Sequence, residues 1–256
     1  MTVVRGRKSR IGIALAFVSV ALSACANVPK EQRSENDPWE ALNRPIYSVN
    51  TAFDKATLKP LAKGYQKILP RPVRTGVRNF MTNLVSPRSI INNFLQGKPA
   101  HGFGELGRFV FNSTLGIGGL FDVATAGGLE AHREDFGQTA AVWGVPPGPY
   151  VMLPFFGPQT LRNAVLLPID IASTPLYHYD NSSVRDKLYI LRAIELRERL
   201  FAFDKILEDS KDHYITIRES YLQNREYEVY DGNPPEDDDF FDEFYDDEFV
   251  EDEGTE

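Results

Sequence analysis

A single cysteine, Cys25, stands in 256 residues, so no internal disulfide can form and a zinc site of several cysteines is excluded. Histidine is nearly as scarce. His101, His132, His178 and His213 are too scattered for their spacing to suggest a metal cluster. The chain has no G-x-S-x-G elbow, no H-E-x-x-H, no phosphate-binding loop and no Cys–His pairing, so it lacks the usual signatures of serine hydrolases, zinc proteases and nucleotide hydrolases. Gly116-Ile117-Gly118 lacks the third glycine of a dinucleotide fingerprint and follows a helical pattern, so it reads as a tight turn. His132-Arg133-Glu134-Asp135 reads as a solvated turn. Ser173, Asp170, His178 and Asp180 are hydrolase residue types, without an elbow or an oxyanion-hole signal to organise them. No convincing alternating strand and no repeat of about 20 to 50 residues is present.

A field of one sign is also missing. The net charge of −8 comes mostly from the ends: residues 236–256 hold 13 acids and no base, and residues 1–24 hold four bases and no acid. Between Cys25 and Pro235 there are 24 bases and 23 acids, a balance that carries no strong field for nucleic acid or anionic lipid.

What is present begins with an export pattern. Arg5, Arg7, Lys8 and Arg10 precede an apolar segment, Ile11 to Leu22, of 12 residues. That is short for a bilayer span and fits a secretory signal over residues 1–24. It ends Leu22-Ser23-Ala24-Cys25, which resembles the bacterial lipobox, and so implies cleavage before Cys25 and lipidation of its thiol. Ala26, where inner-membrane retention would have Asp, favours the outer membrane by the same resemblance. Residues 25–36 read as a lipidated tether. Residues 231–256 read as a disordered acidic tail, because so many like charges leave too little apolar surface to fold.

The body, residues 37–230, reads as helices punctuated by proline. Asp37-Pro38-Trp39-Glu40 predicts a capped start, with Trp39, Leu42, Ile46, Val49 and Phe53 on one face and a kink at Pro45. Further helices are predicted from Pro60, burying Leu61, Tyr65, Ile68 and Leu69, and from Pro72. Another is predicted after Ser86-Pro87, with Ile90, Ile91, Phe94 and Leu95, and another from Pro99 to Leu115. That last one is apolar over more than half its circumference, so it is buried or faces lipid. Asp135 is positioned to cap a short helix ending at Gly144. Helix is expected to resume over Gln159 to Leu167, followed by a loop from Ile169 to Asp180. Ser183 and Asp186 predict a capped helix running to Asp209, and Asp212 to Tyr227 the last one.

Phe136 to Leu161 is the chain's most unusual stretch: 26 residues with no Asp, Glu, Lys, Arg or His. Pro146, Pro147, Pro149, Pro154 and Pro158 forbid a single spanning helix. The stretch is therefore a buried loop or an apolar surface facing lipid at a boundary. We expect Tyr150 to Phe156, with Met152, Leu153 and Phe155 between, to lie at the acyl-chain boundary. Gly144 and Gly148 flank the Pro146-Pro147 pair of this stretch.

Five motifs together resemble one family. They are Asp37-Pro38-Trp39-Glu40-Ala41-Leu42-Asn43-Arg44, Asn92-Asn93-Phe94-Leu95-Gln96-Gly97, the run from Arg108 to Ala124, Asp135-Phe136-Gly137-Gln138-Thr139, and the run from Gly148 to Pro158. In order and content they are similar to the MlaA (VacJ) outer-membrane lipoproteins over roughly Asp37 to Tyr227. The resemblance implies an all-α, single ring-like helical domain embedded in one leaflet, with an amphipathic central pore whose mouth Gly144 and Gly148 are expected to flank. It further implies a non-enzymatic role in moving mislocalised phospholipid from the outer leaflet to a periplasmic, MlaC-like lipid carrier, beside a trimeric porin in enteric members. Of the family's Asn-Phe pair after the first motif's tyrosine, only Asn50 carries over, and Pro146-Pro147 replaces a more glycine-rich loop. No cofactor is implied. A membrane-anchored scaffold that binds porins without moving lipid, or a lipid-active hydrolase, remain the alternative readings.

Overall fold

A computed structural model describes residues 36–235. The export signal, Cys25, nearly all of the tether and residues 236–256 of the tail lie outside the described residues. The chain is mostly helical. Helix α1 (Glu40–Phe53) runs without a break through a π turn (Asp54–Leu58) into α2 (Lys59–Ile68). Next come α3 (Arg71–Leu95), α4 (Pro99–Thr114), the short α5 (Val123–Ala126) and α6 (Phe136–Val142). A hairpin of β1 (Tyr150–Leu153) and β2 (Gly157–Thr160) follows. Then come α7 (Leu161–Ala172), a 3-10 turn (Pro175–His178), α8 (Ser182–Arg199), α9 (Phe201–Glu208) and α10 (His213–Val229).

Two helix boundaries expected at prolines, Pro60 and Pro87, are absent, and Pro45 lies inside α1 where a kink is expected. Pro45, Pro60 and Pro87 all sit inside helical runs. Pro60 would clash with the carbonyl four residues back, and the π turn directly before it opens the spacing that relieves this. Pro87 leaves α3 a single helix of 25 residues. Likewise α7 starts at Leu161, carries Pro168 inside, and continues to Ala172. The caps also differ. Asn181, not Ser183, caps α8, accepting from the Val184 N–H, and the helix ends at Arg199 before α9 begins. Asp135 caps α6 in a full capping box with Gln138, as the sequence predicts, and α10 starts where it is expected, with Asp212 as its cap.

The hairpin is an element the sequence reading did not contain. Tyr150 pairs with Thr160 and Leu153 with Gly157, antiparallel. Four residues per strand, with prolines at both ends, are too few to display alternation.

The larger difference concerns which way the helices face. Among the described residues, 21 polar or charged side chains are buried against 8 apolar ones, while 36 large apolar side chains are exposed; this inverts the usual soluble arrangement. On α4 the buried positions are Gly102, Glu105, Arg108 and Asn112, and the exposed ones include Phe103, Leu106, Val110 and Phe111. On α3, Asn83, Ser86, Ser89, Asn92 and Asn93 point inward, while Val73, Ile91, Phe94 and Leu95 point out. On α1 the inward face holds Glu40 and Asn43, and Trp39, Leu42, Val49 and Phe53 are exposed. Leu61 and Ile68, expected in the core, are exposed; Tyr65 is buried. The helical periods are those of the sequence; on α4 the apolar side is the exposed one, the second of the two alternatives that its pattern leaves open. No helix of the described residues is long and apolar enough to cross a membrane.

Candidate functional site

The hairpin is held by side chains standing in for a neighbouring strand. Asn43 Nδ2 donates to the Tyr150 carbonyl at 3.0 Å, and its Oδ1 accepts from the Met152 N–H at 2.9 Å. Seven residues on, Asn50 Nδ2 donates to the Leu153 carbonyl and its Oδ1 accepts from the Phe155 N–H, both at 2.9 Å. Seven helical residues rise ~10.5 Å and three strand residues span ~10 Å, so one helix face matches one strand edge. Asn50 is therefore a clamp on the hairpin.

Beneath it lies a small core of Tyr150, Met152 and Tyr214. Tyr150 is 0% and Met152 2% exposed. The expectation that these two meet lipid tails or a pore is corrected: β1 alternates, and they are its inward-facing residues. Leu153 is half-buried. At the tip the chain turns through Pro154, Phe155 and Phe156, leaving Phe155 68% and Phe156 59% exposed. Phe155 takes a left-handed φ of 65°, a conformation that strains a bulky residue by about 1–3 kcal/mol and persists only where the surroundings enforce it. Asn50 and an edge-to-face contact with Phe53, ring centroids 5.1 Å apart, do so here. Behind the tip, Leu153, Phe156, Leu167, Ile171 and Tyr177 wall an apolar recess of about 510 Å3. Gly144 and Gly148 have φ of +87° and +66°. A side chain at either is strained by roughly 1 kcal/mol, so an alanine there disturbs the backbone whether or not the loop moves.

A buried polar hub joins this end to α10. The Asp37 carboxylate accepts from Asn43 Nδ2 at 2.8 Å, from the Tyr214 hydroxyl, and from Arg218 at 3.3 Å. Asp37 therefore holds a tertiary network and not the helix N-terminus it was expected to cap; α1 has no side-chain cap. Burial, then the Asp37 carboxylate, push the Tyr214 hydroxyl well above the usual phenol range.

The other motifs also meet in pairs. Thr139 donates to Asn92 Oδ1 at 2.6 Å, Gln96 donates to Glu134 at 2.8 Å and to Thr139 at 3.1 Å, and Asn93 donates to the His132 carbonyl at 2.9 Å. Arg108 and Asn112 both reach the Asp122 carboxylate, Arg108 at 3.1 Å and Asn112 at 3.0 Å. Burial pushes that carboxyl up, but hydrogen bonds from Thr125 and Asn112 and the charge of Arg108 outweigh it and hold it at about 2.

Arg108, Asn112 and Asp122 line a cavity of about 190 Å3 between α3, α4 and α8. Six arginines line it: Arg78 and Arg88 from α3, Arg108 from α4, Arg133 from the segment before α6, and Arg192 and Arg199 from α8. Glu105, Asp122 and Glu195 are the acids. Sequence reasoning did not find this set, because its members are spread over 122 positions and each reads alone as a surface charge. Neither Asn50, Gly144 and Gly148 nor any residue of the hairpin lines this cavity.

The hydrolase residue types do not assemble. Ser173 donates to the Asp170 carbonyl, His178 Nε2 contacts the Ala172 carbonyl at 2.7 Å, and Asp170 accepts from the Phe136 N–H. His101 and His132 stack, ring centroids 3.8 Å apart. Among the described residues no group of three or more His, Cys, Asp or Glu is placed to hold a metal ion.

The family described as MlaA lipoprotein matches residues 35–228. The chain belongs to the MlaA lipoprotein family. Relatives bearing the name intermembrane phospholipid transport system lipoprotein MlaA include those of Shigella flexneri and Escherichia coli K12. The first is 36% identical over 218 residues and the second 36% over 220, each covering 84% of this chain and 86% of that protein. The MlaA of Haemophilus influenzae is 30% identical over 231 residues, covering 88% and 92%. A solved structure from work on the structural basis for maintenance of bacterial outer membrane lipid asymmetry superimposes with a TM-score of 0.67 at 36% identity. It covers 78% of this chain and 100% of that one. From the motifs of this sequence, Asp37, Asn43, Asn92, Asn93, Arg108, Asn112, Gln138 and Thr139 are thus partners in buried polar contacts. Their substitution would unsatisfy a buried group, each at a cost of about 1–3 kcal/mol.

Proposed function

We propose that this chain is the outer-membrane lipoprotein of an intermembrane phospholipid transport system. In this reading it sits in the periplasmic leaflet, draws mislocalised phospholipid from the outer leaflet through its polar cavity, and passes it to a periplasmic, MlaC-like carrier, with a trimeric porin as a neighbour in the membrane. The observation that carries the reading is the inverted polarity. An apolar exterior suits acyl chains, and an arginine-lined interior suits a charged headgroup that could not cross hydrocarbon alone. The strained, exposed Phe155-Phe156 tip and the apolar recess behind it are the parts placed to meet lipid tails. Cys25 anchors the chain, and stable retention follows from more than one acyl chain.

Two measurements test this. The mature protein, purified from membranes, is expected to carry phospholipid that leaves it when a soluble lipid carrier is added. Lipid that stays bound would favour a static scaffold, and no bound lipid would sink the reading. For the anchor, Cys25→Ser should abolish acylation and processing at that site, read by mass spectrometry of the mature N-terminus; an unacylated wild-type chain starting elsewhere would overturn it.

A further inference from the structure

The cavity's charges are not balanced against one another. Six arginines face three carboxylates, each within ion-pair distance of an arginine, although Glu195 Oε1 makes no hydrogen bond. Asp122 and Glu105 lie 3.1 and 3.7 Å from Arg108, and Glu195 lies between Arg78 at 3.8 Å and Arg199 at 3.7 Å. Arg88 reaches Asp170 at 3.7 Å, while its Nε is buried without a partner. Arg133 and Arg192 form no ion pair among the described residues; Arg192 donates a hydrogen bond to the Met81 carbonyl at 3.4 Å. Burial pushes both guanidinium groups down. Arg199 and Arg108 push Arg133 further down and Arg88 and Arg199 do the same to Arg192, against opposing pulls from Glu105 and Glu195. Arg192 is half-buried and Arg133 exposed, and neither has a carboxylate within ion-pair distance, so both guanidinium groups are free to take an anion. Each one also offers a planar fork of donors that matches the oxygens of a phosphate.

We propose that Arg133 and Arg192 form a station for the phosphodiester of a phospholipid, and that the cavity they charge favours headgroups of net negative charge over zwitterionic ones. This rests on the conduit reading above. A phosphodiester supplies the missing negative charge. The ammonium of a zwitterionic headgroup adds a cation to a cavity where six arginines already outnumber three carboxylates.

The test uses the full mature lipoprotein, with co-purified phosphatidylglycerol and phosphatidylethanolamine quantified by mass spectrometry against the surrounding membrane. Wild type should enrich the anionic lipid about tenfold, the order expected for one like-charge repulsion across several ångströms in a partly solvated site. The double variant Arg133→Gln with Arg192→Gln should return to the membrane's own ratio. The Lys pair Arg133→Lys with Arg192→Lys should keep most of the enrichment, and Lys205→Gln, an exposed cation outside the cavity, should keep all of it. The double Gln variant should also melt no lower than wild type, since it removes uncompensated charge; a clear drop in Tm would assign these arginines a structural role and overturn the proposal. Lipid bound without headgroup bias, or an unchanged ratio in the double Gln variant, overturns it while leaving the conduit intact. Calorimetry with inorganic phosphate on delipidated protein separates the sources: phosphate binding lost in the double Gln variant, with no lipid bias in wild type, would assign the station to the free ion. Wild type with no lipid at all overturns the conduit reading, and this inference with it.

Discussion

Asp37→Ala is expected to lower the folding free energy by about 3–5 kcal/mol, a large fraction of the stability of a domain this size. Asp37 is fully buried and joins α1, the hairpin and α10 through Asn43, Tyr214 and Arg218. Removing its carboxylate leaves Arg218 without one of its carboxylate partners, strands the Tyr214 hydroxyl, and removes one of the three groups that orient Asn43. Since Asn43 also holds the Tyr150 carbonyl and the Met152 N–H, the hairpin should loosen with it. Denaturant unfolding followed by circular dichroism measures the loss. Tyr214→Phe, which keeps the ring and removes only the hydroxyl, should cost less. The double variant should show coupling between the two sites of about 0.5–3 kcal/mol. A loss below about 1 kcal/mol for Asp37→Ala would mean that the hub contributes little.

Aspartate placed along the hairpin should separate core from boundary within four residues. Met152→Asp puts an unpaired charge among Tyr150 and Tyr214 and is expected to unfold the chain, at a cost of several kcal/mol. Phe155→Asp and Phe156→Asp alter exposed side chains and should leave the circular dichroism spectrum and Tm nearly unchanged. Their effect should fall on the membrane. A charge at acyl-chain depth costs about 2.5–3.5 kcal/mol, so partition of the unanchored domain into vesicles should fall on the order of a hundredfold. Vesicle flotation of a chain starting after Cys25, paired with an assay for phospholipid in the outer leaflet, reads this out. Unfolding of both Phe variants would place the tip in the core. Undiminished flotation and lipid asymmetry would remove its role at the membrane.

The positions of most helices were legible in the sequence. The spacing of Phe103, Leu106 and Val110, the capping pair Asp135 and Gln138, and the cap at Asp212 each mark local structure, because helical period and capping are satisfied within a few residues. The motifs likewise marked which segments matter, including the Asn92-Asn93 and Asp135 to Thr139 stretches that meet in the folded chain. Proline misled at Pro60 and Pro87, where a π turn in one case and a long, well-packed helix in the other absorb the missing N–H.

What the tertiary structure alone decided is the direction of the faces and the membership of the cavity. An amphipathic period defines two sides of a helix and is unchanged by turning the helix half a revolution. It cannot say which side is inside. The same symmetry hid the alternation in β1, where Tyr150 and Met152 face in while the tip carries Phe155 and Phe156 outward. The cavity arginines, from Arg78 to Arg199, become one set only when α3, α4 and α8 close around a common space, because charge adds by distance in three dimensions and not by separation along the chain.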